Sequence, residues 1–417
     1  MPLVLTWFPE SRPKTKSISQ PFSLLLYFLS LPCMTFSPSL PYSRRTYRVA
    51  VGFLFFLLGL CFASWGSRIP SIQAKLHLSE AELGMVLFSL PVGLMLSLPF
   101  TGWLIPKVGS RNAVTVGLLF YSLVLVSIGL AQNTWQLVVA LFFFGFGSNM
   151  SNIAVNTQAV GVENMYKKSI MASFHGLWSL AGFTGAAIGT LMIGANIIPF
   201  HHFLLILALT VLGVAVSFRY ILPQDDTPTE KQPLFVMPDK SLIVLGMIAF
   251  CSLICEGAMF DWSGIYFQKV VGAEKAWVAA GYTAFMSTMA LTRFIADWLT
   301  TKLGLPKVLV LSGSLTAIGL AIAVIFPYLV TAIIGFLLVG MGVSAVVPLV
   351  YGEAGRSKTM SPSTALAAVT TIGFAGFLVG PPLIGVVAGF SSLRISFAII
   401  ALMGITVAIL SSRAKME

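Results

Sequence analysis

Between Tyr47 and Arg413 the chain consists almost wholly of continuous apolar runs, each closed by a short polar or basic turn. A helix needs about 20 predominantly apolar residues to cross bilayer hydrocarbon, and roughly twelve such stretches fit into this length. Their apolar residues run on rather than alternate, so they read as helices and not as barrel strands; in lipid a helix satisfies its own backbone. Composition agrees, with 57% hydrophobic and 9% charged residues and a mean hydropathy of +0.92, where soluble domains carry about 25% charged residues. The expected class is an all-α integral membrane protein with about twelve transmembrane helices.

These runs fall into two copies. One basic turn, Gly102-Trp103-Leu104-Ile105-Pro106-Lys107-Val108-Gly109-Ser110-Arg111, has a counterpart in Asp297-Trp298-Leu299-Thr300-Thr301-Lys302-Leu303-Gly304, 195 residues further on. Gly145 and Gly147 recur as Gly340 and Gly342 at the same offset of 195. A repeat in the same sense predicts two pseudo-symmetric six-helix bundles. The expected parts are a leader over 1–46, a first bundle over 47–221, a linker over 222–240, a second bundle over 241–412 and a tail over 413–417. The leader is rich in Ser and Pro, and its apolar stretch from Phe22 to Leu31 is too short to span. The leader reads either as an overlong gene start, with Met34 as the expected initiator, or as a targeting segment. The linker is charged and Pro-rich, which predicts a solvated, extended connection.

A net charge of +11 invites a nucleic-acid reading, but its distribution follows the membrane. Most Lys and Arg residues fall in alternate turns, at Arg44, Arg45, Arg48, Lys107, Arg111, Lys167, Lys168, Arg219, Lys231, Lys240, Lys302, Lys307, Arg356, Lys358, Arg413 and Lys415. The other side holds only Arg68, Lys75, Lys269, Lys275 and Arg394. This asymmetry predicts that both termini and the linker are cytoplasmic. No basic patch with interleaved aromatics remains for nucleic acid. The four cysteines show no CxxC or metal-ligand spacing, and neither a GxxxxGK[ST] loop nor an HExxH pair occurs. ATP-driven transport, a metal, a cofactor and an enzymatic role are all disfavoured.

Candidate functional residues are the polar ones within the runs. Asn149, Asn152 and Asn156 recur at i, i+3 and i+7, one helical stripe that could face a wet cavity. His175 lies within reach of that stripe, with a proton or substrate role to set against simple hydrogen bonding. Trp65, Trp178 and Trp262 are candidate cavity walls; for Trp65 and Arg68 near the end of the first run, an interface belt and a snorkelling charge are the plainer reading. Glu256 in the seventh run is costly unless paired, protonated or wetted, which makes it the leading proton-coupling candidate, with His175 and Glu353 behind it. Asp261 lies near the expected boundary and doubles as a cavity candidate. Arg293 and Asp297 share a helical face, and counting about 1.5 Å per residue from Trp277 puts them roughly 24 and 30 Å along the helix, near a cytoplasmic gate. Pro348 should loosen the tenth run, and Gly380-Pro381-Pro382 should break the eleventh.

Gly102, Lys107, Gly109 and Arg111 resemble the loop between spans two and three that marks the major facilitator superfamily. Pro106 and Thr301 stand where that family usually carries an acidic residue, so the usual charge relay is altered, and Arg293 with Asp297 offers a replacement latch. Ala63-Ser64-Trp65 through Pro70, Phe174 to Leu180, Glu256 to Trp262 and Gly376 to Gly385 resemble the bacterial YbjJ-type inner-membrane proteins. The resemblance implies a secondary transporter of the inner membrane, monomeric and coupled to protons. It would bind a small polar, sugar-like or other metabolite between its bundles and move it by alternating access. Efflux of drugs or metabolites across Phe-rich walls (Phe142 to Phe144, Phe374, Phe377) is the alternative, and a non-transporting sensor the second.

Overall fold

The structure, a computed structural model, describes residues 42–166, 170–223, 240–357 and 360–414, so most of the leader and of the linker falls outside the described residues. Among the described residues thirteen α-helices follow one another: α1 Arg44–Leu76, α2 Glu80–Leu87, α3 Ser89–Leu130, α4 Thr134–Asn164, α5 Met171–Gly194, α6 Pro199–Ser217, α7 Lys240–Lys269, α8 Ala280–Leu303, α9 Leu305–Ile325, α10 Leu329–Val343, α11 Val346–Ala354, α12 Pro362–Phe390 and α13 Leu393–Arg413. Ten helical stretches are long and apolar enough to span; one of them, Glu80–Leu130, reverses at Gly109 and crosses twice, and α8, less apolar through Arg293 and Asp297, brings the crossings to twelve. α10 and α11 form one of these crossings.

Local chemistry sets the ends. Ser79 and Glu82 form a capping box, the Ser79 hydroxyl accepting from the Glu82 amide at 3.3 Å while the Glu82 carboxylate accepts from the Ser79 amide at 2.9 Å. Ser43, Asn133, Ser361 and Ser392 cap α1, α4, α12 and α13 by the same side-chain acceptance. The two basic turns pivot on Gly109 (φ 78°, ψ 152°) and Gly304 (φ 83°, ψ 150°), a conformation that only glycine adopts cheaply.

The repeat extends from these turns into the packing. A Cβ on Gly145 would strike the Leu90 carbonyl oxygen, and one on Gly340 would strike that of Phe285, the position 195 residues after Leu90. Gly93 abuts the Phe142 carbonyl; its counterpart Thr288 instead donates its hydroxyl to the Leu337 carbonyl, the counterpart of Phe142, at 2.7 Å. Even the cation–π pairs recur, with Lys107 over Trp103 at 4.0 Å and Lys302 over Trp298 at 4.5 Å. Gly145→Ala and Gly340→Ala should therefore each cost about 1–3 kcal/mol of stability by overpacking backbone against backbone. At Gly102 a Cβ meets nothing, so Gly102→Ala should melt like the parent. Thermal unfolding in detergent checks this, and equal losses at all three positions would contradict it.

The halves meet along α1 with α7, α2 with α12 and α5 with α8. Their close approaches include Gly84 against Pro381 and Gly385, the Glu80–Lys269 ion pair at 2.6 Å and the Thr190–Thr283 hydroxyl pair at 3.0 Å. All three lie toward the end of the molecule away from the basic turns.

Two expectations need correction. α1 continues through Pro70 to Leu76, so Arg68 is no snorkelling terminus but a buried residue, 2% exposed. The Pro381-Pro382 pair does not break α12, which runs unbroken from Pro362 to Phe390.

Candidate functional site

A cavity of about 270 Å³ lies between the halves. The first half contributes Leu58 and Phe62 of α1, Leu87 of α2, Leu90, Pro91 and Leu94 of α3, Ser148, Asn149 and Asn152 of α4, and His175 and Trp178 of α5. Glu256, Gly257, Phe260 and Asp261 of α7, Arg293 of α8, and Phe374, Phe377 and Pro381 of α12 complete it.

Arg293 is its centre. Nη2 lies 3.4 Å from Glu256 Oε1, and Nη1 donates across the seam to the Ser179 hydroxyl at 2.8 Å. Nε donates to the Ser344 carbonyl at 3.3 Å. That last acceptor has a covalent origin: Pro348, four residues on, has no N–H to give the Ser344 carbonyl, so the helix lapses between α10 and α11 and the oxygen turns to Arg293. The loosening expected at Pro348 thus supplies a ligand. The guanidinium also sits 5.6 Å over the Trp178 ring, on the other half. One side chain therefore ties α8 to α7, α10 and α5.

The structure relocates several sequence candidates. Arg293 lines the cavity rather than the basic-turn gate, bound to Glu256, Ser179 and the Ser344 carbonyl, and the Asp297 side chain of the expected latch lies outside the described residues. Glu256 is paired rather than alone. Asp261, expected at the membrane boundary, faces the same cavity and has no hydrogen-bond or ion-pair partner among the described residues. Trp178 lines the cavity, but Trp65 and Trp262, 1% and 0% exposed, are core residues outside its wall. Asn149 gives its amide to Ser97 Oγ at 2.7 Å and to the Leu94 carbonyl at 3.2 Å, which makes it glue between α3 and α4 as well as lining. Asn156 lies off the wall and donates back to Asn152 at 2.8 Å. Glu353, beside Arg356 at 3.8 Å, is also outside the cavity.

At the basic turn, Arg111 gives Nε and Nη2 to the Phe218 carbonyl at 3.1 and 2.7 Å, tying the turn to the end of α6 in its own half. Ser179 and Ser344 escaped the sequence reading. Serines are frequent in such helices, and nothing in their local pattern marks them as partners of an arginine more than 50 residues away in the chain.

Twelve crossings among the described residues, in two repeated halves, with a largely apolar cavity at the seam that gathers Glu256, Asp261 and Arg293, define a multi-pass membrane transporter. Residues 51–359 match the family model described as Major Facilitator Superfamily. An MFS-type transporter of Yersinia pestis is 35% identical over 87% of this chain and 94% of its own length. The chain therefore belongs to the major facilitator superfamily. The cis,cis-muconate transport protein of Acinetobacter baylyi is 24% identical over 85% of the chain and 91% of its own length. Among solved structures, the nucleoside transporter NupG superposes with a TM-score of 0.71 at 13% identity, covering 88% of this chain and 100% of that one, a likeness of fold.

Proposed function

We infer that the chain is a secondary transporter that moves a small polar solute across a bacterial inner membrane by alternating access, coupled to protons. The observation that carries this reading is the cavity at the seam, where Arg293 of one half holds the Ser179 hydroxyl of the other while paired with Glu256. A group that spans both halves and has a replaceable partner gives a solute a way to change the balance between two states. The basic turns face the cytoplasm, in keeping with the charge asymmetry. The close approaches at the opposite end then represent a closed outer gate.

A volume of about 270 Å³ lies at the lower edge of the roughly 300–1,000 Å³ usual for drug-sized ligands. That favours a compact solute over a bulky drug, even though Phe62, Phe260, Phe374 and Phe377 line part of the wall. The relative named for cis,cis-muconate supports a polar metabolite with anionic groups, for which Arg293 is the matching ligand. The cavity is complete within one chain, which supports a monomer as the working unit.

Two measurements test the reading. Alkaline phosphatase fused after Gly272, in the turn from α7 to α8, should be active, and fused after Gly304 it should be inactive; the reverse pattern would invert the topology. In proteoliposomes, a solute selected by thermal shift should exchange between equal pools, and binding without any flux would favour a sensor.

A further inference from the structure

A second polar cluster lies at the outer seam, apart from the central cavity. Arg68 of α1 is buried, and its Nε donates to Nδ1 of His202 on α6 at 3.1 Å. A histidine that accepts on Nδ1 carries its proton on Nε2. Both that Nε2 and Arg68 Nη2 are buried without a partner, and among the described residues no carboxylate pairs with Arg68. The cluster consists of one cation and unspent N–H donors, with no acceptor left over. A buried charge without a counter-charge is among the costliest arrangements in a protein, and a guanidinium is the side chain best suited to meet an anion.

Room for one adjoins it. A cavity of about 340 Å³ is lined by Arg68 and Ser71 of α1, Asn196 of the α5–α6 turn and, from the second half, Gln268 and Lys275. No Asp or Glu belongs to that lining. Lys275 is held in place by the Asn196 side-chain carbonyl across the seam, and Asn196 itself turns the chain at φ 59°. Two cations, one from each half, thus face one space that holds no negative group of the protein.

We propose that this cavity binds a small anion, of the size of chloride or a simple carboxylate, between Arg68 and Lys275. Its donors come from both halves, so occupancy favours the closed outer end. That consequence rests on the alternating-access reading, whereas binding itself does not.

The test uses the full chain purified in detergent, where no transport is needed. Chloride and, separately, acetate are titrated against a bulky sulfonate at constant sodium and ionic strength, with unfolding followed by tryptophan fluorescence. A saturable rise in melting temperature is expected for at least one of the two, and which one distinguishes a halide from a carboxylate. Lys275→Gln, at an exposed rim position, should weaken the midpoint roughly fivefold, the scale of one solvent-screened charge. Arg68→Gln should abolish the response, and Arg293→Gln should leave it intact. If Arg68→Gln does not fold, Lys275→Gln decides. A non-saturating drift common to all variants would overturn the proposal, as would a response lost in Arg293→Gln and kept in Lys275→Gln, which would place the anion in the central cavity.

Discussion

Arg293→Gln is expected to lower solute counterflow in proteoliposomes by about 30-fold to a few thousand-fold, since truncating one partner of a buried charge pair costs about 2–5 kcal/mol and each 1.4 kcal/mol is tenfold. The guanidinium makes three contacts that no amide can reproduce together: the Glu256 carboxylate, the Ser179 hydroxyl of the other half and the carbonyl released by Pro348. Its loss also leaves Glu256 as a buried acid without its cation, so the single variant should be less stable as well as inactive. The double variant Arg293→Gln with Glu256→Gln separates the two effects. Removing both charges restores neutrality, and the melting temperature should recover toward the parent. Counterflow should stay lost, because the link to Ser179 and the ligand for the solute are still missing. Counterflow that returned along with stability would make Arg293 a structural ion-pair partner and nothing more.

The fold was legible because the membrane leaves a chain few choices. Apolar runs of span length, a turn that recurs 195 residues on and alternating basic loops each report a constraint that acts locally along the sequence. Glycines 109 and 304 could be matched by eye because the same backbone conformation demands the same residue in both copies. The site was legible by residue type but not by geometry. Glu256, Asp261, His175 and Arg293 all stand out in the sequence as ionisable residues within apolar runs, and all four line one cavity. Their partners were not readable, since a pairing between α7 and α8, or between α5 and α8, depends on helix rotation that a count of about 1.5 Å per residue does not give. The same limit placed Arg293 at the gate. It also left Trp65 and Trp262 on the cavity wall, although apolar packing had enclosed both. Arg68 looked like a terminal charge because Pro70 reads as a stop, whereas α1 carries on past it.

Glu256→Gln is expected to abolish accumulation driven by a pH difference while sparing exchange between equal pools. Two carboxyl groups compete for the coupling role on α7, Glu256 and Asp261, five residues apart and on one cavity. Asp261 has no partner in the other half among the described residues, so a proton arriving there has no direct lever on the seam. Glu256 does, through Arg293. While charged, it shares the guanidinium with Ser179; on the proposed reading protonation would weaken the Glu256 contact alone and leave that part of Arg293 free to meet a solute. A proton at Glu256 would, on that same reading, change the charge that holds Arg293 at the seam, which is the kind of difference that coupling requires. The amide of glutamine resembles the protonated acid in shape and charge, and Arg293 keeps its bonds to Ser179 and the Ser344 carbonyl, so the variant should still bind and exchange solute. It cannot gain or lose the proton, so a pH gradient has nothing to act on. Asp261→Asn, assayed beside it, should retain a pH-driven component. The assignment fails if Glu256→Gln still concentrates solute on a pH difference alone, and it passes to Asp261 if Asp261→Asn is the variant that loses the drive.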